Sequence, residues 1–320
     1  MLIEPDSNTA LAALLAHKRV TKLMGNMFEI TAVSDDTVYA NACIDAAIEE
    51  ISRIEKLLTT FNENSQTALI NRNAGLEPVK VDDEVFDIIE RSIRISELTQ
   101  GAFDITYGSI DKRFWNFDVN MTELPSAETA RQMVRLINYR NIILDKNERT
   151  VFLKEAGMRI GFGGIGKGYA AERAKNVMKQ MGLESGVVNA SGDLTAWGMQ
   201  PGGKAWTIGI ADPNLKQQIF SYLNITGLAI ATSGNYEKYA LINGKKYSHT
   251  IDPKTGFPVS GIKSTTIICP NAEIADAMAT PVTVMGVEVG LDLINKMKDI
   301  ACIIIDDHDN LFTSKNIRIR

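Results

Sequence analysis

"GFGGIGKGYAAERA", residues 161–174, decides between two architectures. Gly161, Gly163 and Gly166 spell the GxGxxG of a dinucleotide fingerprint, while Gly161, Gly166 and Lys167 spell GxxxxGK, the opening of a phosphate-binding loop. Either motif would put the segment in a strand–loop–helix unit of a parallel, doubly wound sheet. The second fails at the next residue. Gly168 stands where that loop needs a Ser or Thr hydroxyl for Mg²⁺. The first requires an acid at the end of the following strand, and "GVVNASGD" (186–193) has none at that strand's immediate end. What survives is the physics the two motifs share. Glycines let backbone N–H groups approach an anion, a helix starts near Gly168, and Lys167 adds a positive charge. Close packing of strand on helix would also explain the glycines, but gives no reason for a lysine inside the loop.

Outward from this loop, helices and strands mix without strict alternation. "TVYANACIDAAIEEISRIEKLL" (37–58) spaces Ile44, Ile48, Ile51, Ile54 and Leu58 at threes and fours, which predicts a long amphipathic helix. Helices are also predicted at 82–101, 125–138, 271–285 and 287–298, and "ALAALLA" (10–16) reads as a short one. "MGNMFEITAVSD" (24–35) alternates as a strand. Further strands are expected at 141–144, 150–154, 186–189, 205–211, 219–225, 228–232, 237–242 and 262–269, and "ACIIID" is a buried strand before a hairpin turned at "HDN". Turns such as "NGKK" (243–246) join neighbouring strands directly. The pattern predicts an α+β fold of mixed, largely antiparallel sheets with packed helices, in one domain over 1–320 or two intimate lobes.

Composition narrows the function classes. The 320 residues are 45% hydrophobic and 23% charged with net charge −5, an ordinary globular mixture with no basic surplus for nucleic acid. Cys43, Cys269 and Cys302 lie far apart in apolar stretches and read as buried small hydrophobes, not as a disulfide or zinc framework. No segment reads as transmembrane. The expected location is cytoplasmic as the sequence stands, or periplasmic or membrane-anchored if an export signal has been removed.

Two other segments carry chemistry. In "CPNAEIADAMATPVTVMG" (269–286), Asn271 is a plausible N-cap, and Asp276 and Thr280 lie one helical turn apart. A carboxylate and a hydroxyl on one face suit Mg²⁺, although the same pair is common on exposed helices. Their small apolar neighbours Ala275, Ala277, Met278 and Ala279 point to a buried setting, where a carboxylate needs a partner. The third segment is "YSHTIDPKTGFPV" (247–259). His17 and His308 read as surface residues, but His249 sits at a strand end before a tight turn, where an imidazole could take a hydroxyl proton near neutrality. Anion loop, oxygen pair and base together suggest Mg²⁺-assisted phosphoryl chemistry.

These segments, in this order, resemble the ApbE family of FAD:protein FMN transferases. The resemblance rests on "MGNMFEI", "QGAFDITYG" (100–108), "GGIGKGYAAERA", "NASGDLTAWG", "ATSGNYEKY" (231–239), "YSHTIDPKTGFP" and the Asp/Thr helix. It implies cleavage of the FAD pyrophosphate, transfer of FMN to a Ser or Thr hydroxyl in the flavinylation motif of a target flavoprotein, and release of AMP. It further implies Mg²⁺ on Asp276, Thr280 and the Gly164 carbonyl. Lys167 would contact FAD, Met24, Phe61, Ala102, Phe103, Asp104 and Thr250 would line its site, and His249 would be the base. The chain departs from the family pattern at Gly161 (commonly Asp), Phe61 (commonly Tyr) and Ser191 (usually Gly). Those departures keep open an FAD pyrophosphatase giving FMN and AMP, or a non-catalytic flavin-binding protein.

Overall fold

The computed structural model describes residues 13–211, 219–234 and 239–317. Strands β1 (Leu15–Leu23) and β2 (Asn26–Ser34) form a hairpin in register from Leu15↔Ser34 to Leu23↔Asn26. Its turn residues Met24 and Gly25 have φ of 50° and 72°, the positive pair of a type I′ turn. The helix expected at 10–16 lies for residues 10–12 outside the described residues, and Leu15 and Ala16 begin β1 instead. Pairing along the whole of β2 overrides the helix propensity of Ala and Leu.

Helix α1 (Thr37–Leu58) follows, capped by Asp36, whose carboxylate accepts from the N–H groups of Val38 and Tyr39. It buries Ala40, Cys43, Ile44, Ala47, Ile51, Ile54 and Leu58, which includes all of the predicted stripe except Ile48, and Ile48 packs partly buried against the same core. Next come α2 (Gln66–Arg72), β3 (Val79–Lys80), α3 (Asp83–Leu98), a 3-10 turn at Ile105–Ser109 and α4 (Ala127–Val134). β4 (Ile142–Asp145) and β5 (Thr150–Leu153) complete a small sheet ordered β3-β5-β4.

The second half begins with α5 (Gly166–Gln180) and continues through β6 (Gly186–Ala190), β7 (Asp193–Trp197), β8 (Trp206–Ala211), β9 (Ile219–Ile225) and β10 (Leu228–Gly234). The hairpin β11 (Tyr239–Ile242) and β12 (Lys245–Ser248) leads to β13 (Ile262–Cys269). α6 (Ala272–Met285), α7 (Val287–Lys296), β14 (Ala301–Asp306) and β15 (Leu311–Thr313) close the chain.

The main sheet has eight strands in the order β1-β2-β6-β7-β10-β13-β14-β15. Every strand pairing among the described residues is antiparallel, so the fold is α+β and not doubly wound. Alternation sorts the side chains. Val188, Ala231, Ile267 and Ile304 join α1, α5 and α6 in the large core, while Val187, Ile230, Ile268 and Ile303 meet Trp206, Ile208 and Leu223 of the β8–β9 hairpin on the other face. Both faces are covered, which is why all eight residues of β13 are buried. Each fully buried isoleucine contributes roughly 1.5–3 kcal/mol. This packing fixes the start of α5 against α6, and the site is built there.

Candidate functional site

The contact between α5 and α6 is set by one glycine. A Cβ on Gly168 would lie 2.2 Å from the Ala272 carbonyl oxygen and 2.6 Å from the Asp276 Cβ, so no larger residue fits. This is the physical reason that the phosphate-loop Ser/Thr is missing. Closeness has a second effect. The Gly168 N–H donates to Asp276 Oδ2 at 2.9 Å, and Asp276 thereby serves the start of α5, where the N-cap residue Ile165 supplies no side-chain bond.

Asp276 shares its corner with Lys167 and with Asp193 from the start of β7. Lys167 Nζ forms a close ion pair with Asp193 Oδ2, and the Thr232 N–H donates to Asp193 Oδ1 at 3.2 Å. Burial, and after it the charge of Asp193, pushes the Asp276 pKa up to about 7; Lys167 and the helix N–H groups pull the other way. Burial works against the Lys167 ammonium, but Asp193 and then Asp276 outweigh it and leave its pKa above the usual value. Two buried carboxylates thus share one ammonium, and full ionisation leaves a surplus negative charge that a hard cation would neutralise. Thr280 lies one turn further along α6 and is half-buried.

The glycine loop brings other residues to the same place. An added Cβ on Gly164 would sit 3.5 Å from the Phe103 ring, and one on Gly166 would sit 3.6 Å from the Met24 Cε. At Gly163 there is nothing within 4 Å, so the backbone there is open to an approaching group. Phe103 and Ala102 are buried, and Phe103 floors the loop from below. Phe61 stands apart at 98% exposure, on a cavity of about 580 Å³ that also includes Thr60, Asn71 and Arg159. Thr60 connects it to the loop, its methyl lying 3.8 Å from where a Gly161 Cβ would be.

Asp104 is occupied internally. Its Oδ1 accepts from the Thr106 N–H at 2.8 Å and hydroxyl at 2.6 Å, and its Oδ2 accepts from the Tyr139 N–H at 2.8 Å. Burial still holds its pKa above the usual carboxylate value. The geometry makes it a brace for the Ala102–Phe103 turn.

His249 follows β12 and is exposed, with its ring edge-on to Phe117 at 6.4 Å between centroids. Its neighbours are tightly held. Ser248 N–H donates to Val259 O at 2.8 Å, and the Thr250 N–H donates to Ser248 Oγ at 2.8 Å. Asp252 organises the DPKTG turn by accepting from the Lys254 N–H and the Thr255 hydroxyl, both at 2.9 Å. Gly256, at φ 75°, packs so tightly on α4 that a Cβ would come within 2.1 Å of Ala130 O. The Tyr107 hydroxyl accepts from the Ile251 N–H at 3.3 Å, tying this turn to the segment that carries Phe103. Asn235–Lys238 of "ATSGNYEKY" lie outside the described residues.

Sequence reasoning overlooked two participants. The dinucleotide fingerprint expects its acid directly at a strand end, whereas Asp193 starts β7 after a hairpin turn whose Ser191 and Gly192 have φ of 54° and 103°. Ser191 tolerates that left-handed backbone with help from Met27: the Met27 N–H donates to its hydroxyl at 3.1 Å, and the hydroxyl donates to Met27 O at 3.0 Å. The signal was the short "SGD" between two apolar runs. Tyr107 lies inside the quoted "QGAFDITYG", but nothing local marks it as a tie to a turn 144 residues away.

Comparison with known proteins places this geometry. The model of the ApbE family matches residues 24–304. A relative from Klebsiella pneumoniae (strain 342), called FAD:protein FMN transferase, is 30% identical over 300 residues, covering 93% of this chain and 92% of its own. One of the same name from Treponema pallidum (strain Nichols) is 28% identical, covering 86% and 79%. The crystal structure of the ApbE protein from Thermotoga maritima superposes with a TM-score of 0.83 at 30% identity, over 94% of this chain and 97% of that one. The apo flavinyl transferase ApbE of Pseudomonas stutzeri gives 0.81 at 25% identity, over 95% of each chain.

Proposed function

As a member of the ApbE family this chain is a transferase, and we propose that it is an FAD:protein FMN transferase that moves FMN from FAD to a Ser or Thr hydroxyl of a target flavoprotein with release of AMP. The observation that carries the reading is the corner of Asp276, Asp193 and Lys167 beside the open backbone at Gly163. A pyrophosphate is a concentrated negative charge. An ammonium at the positive end of a helix, next to backbone that an incoming group can approach at Gly163, is suited to hold it.

The donor set fits Mg²⁺, with the Asp276 carboxylate, the Thr280 hydroxyl and the Gly164 carbonyl as its holders. When bound, the ion would supply electrostatic stabilisation of charge on the pyrophosphate oxygens. Lys167 would turn from Asp193 toward the phosphates, and Met24 and Phe103 would shape the loop that receives the nucleotide. Phe61, at the far end of the loop, would offer its exposed ring to the flavin or the adenine, with Ala102, Asp104 and Thr250 completing the surroundings.

In the transfer step the acceptor oxygen bonds to the FMN phosphorus as the bond from that phosphorus to the bridging oxygen breaks. AMP leaves with the bridging oxygen, and His249 takes the hydroxyl proton. The exposure of His249 supports this role, because the proton donor belongs to another protein. It also allows water to take the acceptor's place, which would make the enzyme an FAD pyrophosphatase. Among the described residues no helix is long and apolar enough to cross a membrane.

The test is incubation with FAD, Mg²⁺ and candidate acceptor domains. The reading expects an acceptor heavier by one FMN, with AMP released in equal amount and both abolished by EDTA. Full-rate AMP release with no acceptor present would favour the pyrophosphatase. FAD bound with no AMP formed would leave only a flavin-binding protein.

A further inference from the structure

The protein carries a surplus of acid, yet one stretch of its surface is the reverse. A cavity of about 370 Å³ beside the His249 turn is lined by Lys254, Arg140, Arg135 and Arg131. A second, of about 330 Å³, shares Arg135 and adds Arg113 and Arg159. The two are therefore contiguous, and the shared Arg159 and Gly157 continue them into the cavity that holds Phe61. Carboxylates neutralise only part of this charge. Arg113 pairs with Asp111 at 2.6 Å and Arg131 with Glu128 at 3.4 Å. Lys254, Arg140, Arg135 and Arg159 form no ion pair among the described residues, and all four are exposed. The one carboxylate in the first cavity, Asp104, has both oxygens filled by Thr106 and Tyr139.

Four exposed cations without an ion pair among the described residues, one of them, Arg140, lying over the Tyr139 ring at 4.6 Å, make this band a local attractor for anions in a chain of net charge −5. Their placement narrows the kind of anion. The charges line two linked concavities in a band that starts five residues after His249, a shape that accepts an extended segment and not a flat bilayer. A single small phosphate would fill only one of the cavities. We propose that this band is the docking groove for an acidic segment of the acceptor polypeptide, steering the acceptor so that its hydroxyl arrives at His249. The proposal takes the acceptor's role from the transferase reading. The groove's charge and shape are independent of that reading.

The experiment begins with binding, which needs no turnover. Fluorescein-labelled poly-L-glutamate is titrated with the full chain and followed by anisotropy. Binding should weaken steeply with added salt, and the R135E/R140E double variant should bind at least about tenfold more weakly. Both arginines are exposed and Arg135 lies at the end of α4, so circular dichroism and FAD binding should match the parent. With a working acceptor, the same variant should raise the KM for acceptor about tenfold or more while KM for FAD and kcat stay within twofold.

Equal poly-L-glutamate binding by parent and variant would overturn the proposal. So would retention by phosphatidylserine vesicles without binding of poly-L-glutamate, or displacement of poly-L-glutamate by inorganic phosphate at equal charge concentration. If no acceptor is ever flavinylated, the transferase reading fails while the anisotropy titration still decides on the groove.

Discussion

The α5–α6 corner and the His249 turn divide the proposed chemistry between opposite environments. In the corner, Asp276 and Asp193 are buried, their oxygens are engaged by Gly168 and Thr232, and burial raises the Asp276 pKa. His249 is exposed and its surroundings are held by backbone and Asx bonds, with Gly256 locked onto α4. On the proposed mechanism, the contrast would put the charge-handling half of the reaction in the low-dielectric junction of two helices, where electrostatic interactions are strong. The proton-handling half would lie where a second protein can reach it. Disabling either half should therefore give different signatures.

The corner should be the most sensitive. Asp276→Asn keeps an oxygen to accept from Gly168 but removes the charge. The transfer rate is expected to fall about a thousandfold or more, comparable to loss of a major electrostatic group in a polar-transfer site. Apo stability should not fall, because a neutral amide avoids the cost of ionising a buried carboxyl. Steady-state kinetics with a Mg²⁺ titration and a thermal melt check both. Persistence of an unaltered metal response would break the assignment of this corner.

On the exposed side, His249→Ala should reduce transfer by about a hundredfold or more while FAD affinity stays within twofold. A binding titration beside single-turnover kinetics makes the distinction. Equal loss of both would show the histidine to be part of the nucleotide site, and the contrast between regions would disappear.

A third substitution tests whether the corner is geometry or only charge. Gly168→Ala forces a methyl into the Ala272 carbonyl and the Asp276 side chain, so the helices must separate. Overpacking of this kind costs about 1–3 kcal/mol. Denaturant melts should show it, and a Mg²⁺ requirement shifted to higher concentration should accompany it. A fully stable variant with parental metal response would mean that α5 and α6 do not need their close approach.

How much of this was legible in the sequence follows the range of the forces involved. α1 was readable because its isoleucine stripe is local and periodic, and the Asn271 cap of α6 because its bond to the Ile274 N–H is three residues away. β1 was misread because its identity depends on pairing with β2, and α2, seven residues capped by Ser65, is too short to show a period. Lys167 and Asp276 stand out in their own segments, whereas Gly164, Met24 and Phe103 join them only through the family resemblance; the fold brings all five around one loop. Asp193 escaped because its partner Lys167 is twenty-six residues away, across a helix and a strand. No local pattern carries that distance.

The smallest effect concerns the support behind the corner rather than the corner itself. Arg53 on α1 binds Glu50 at 2.8 Å and Glu84, at the start of α3, at 2.7 Å. Arg173 of α5 reaches Glu50 at 3.1 Å, and the Tyr169 hydroxyl donates to Glu84 at 2.6 Å. Arg53 is the chief reason that both glutamates sit below the usual carboxylate range. A carboxyl with a depressed pKa in the folded state contributes stability that is complete above its unfolded value, near 4.5, and is lost as pH falls through the folded value. Stability should therefore decline on the acid side of that window, and Arg53→Met should flatten the decline. Arg53 is partly exposed and screened, so the difference at neutral pH should be no more than about 1 kcal/mol. Urea melts across pH 3–7 would measure it. An Arg53→Met curve parallel to the parent's would show that other carboxylates govern acid unfolding. If Mg²⁺ affinity at neutral pH moved as well, the helices would not be independent supports, and the corner would be coupled to α1 and α3 through α5.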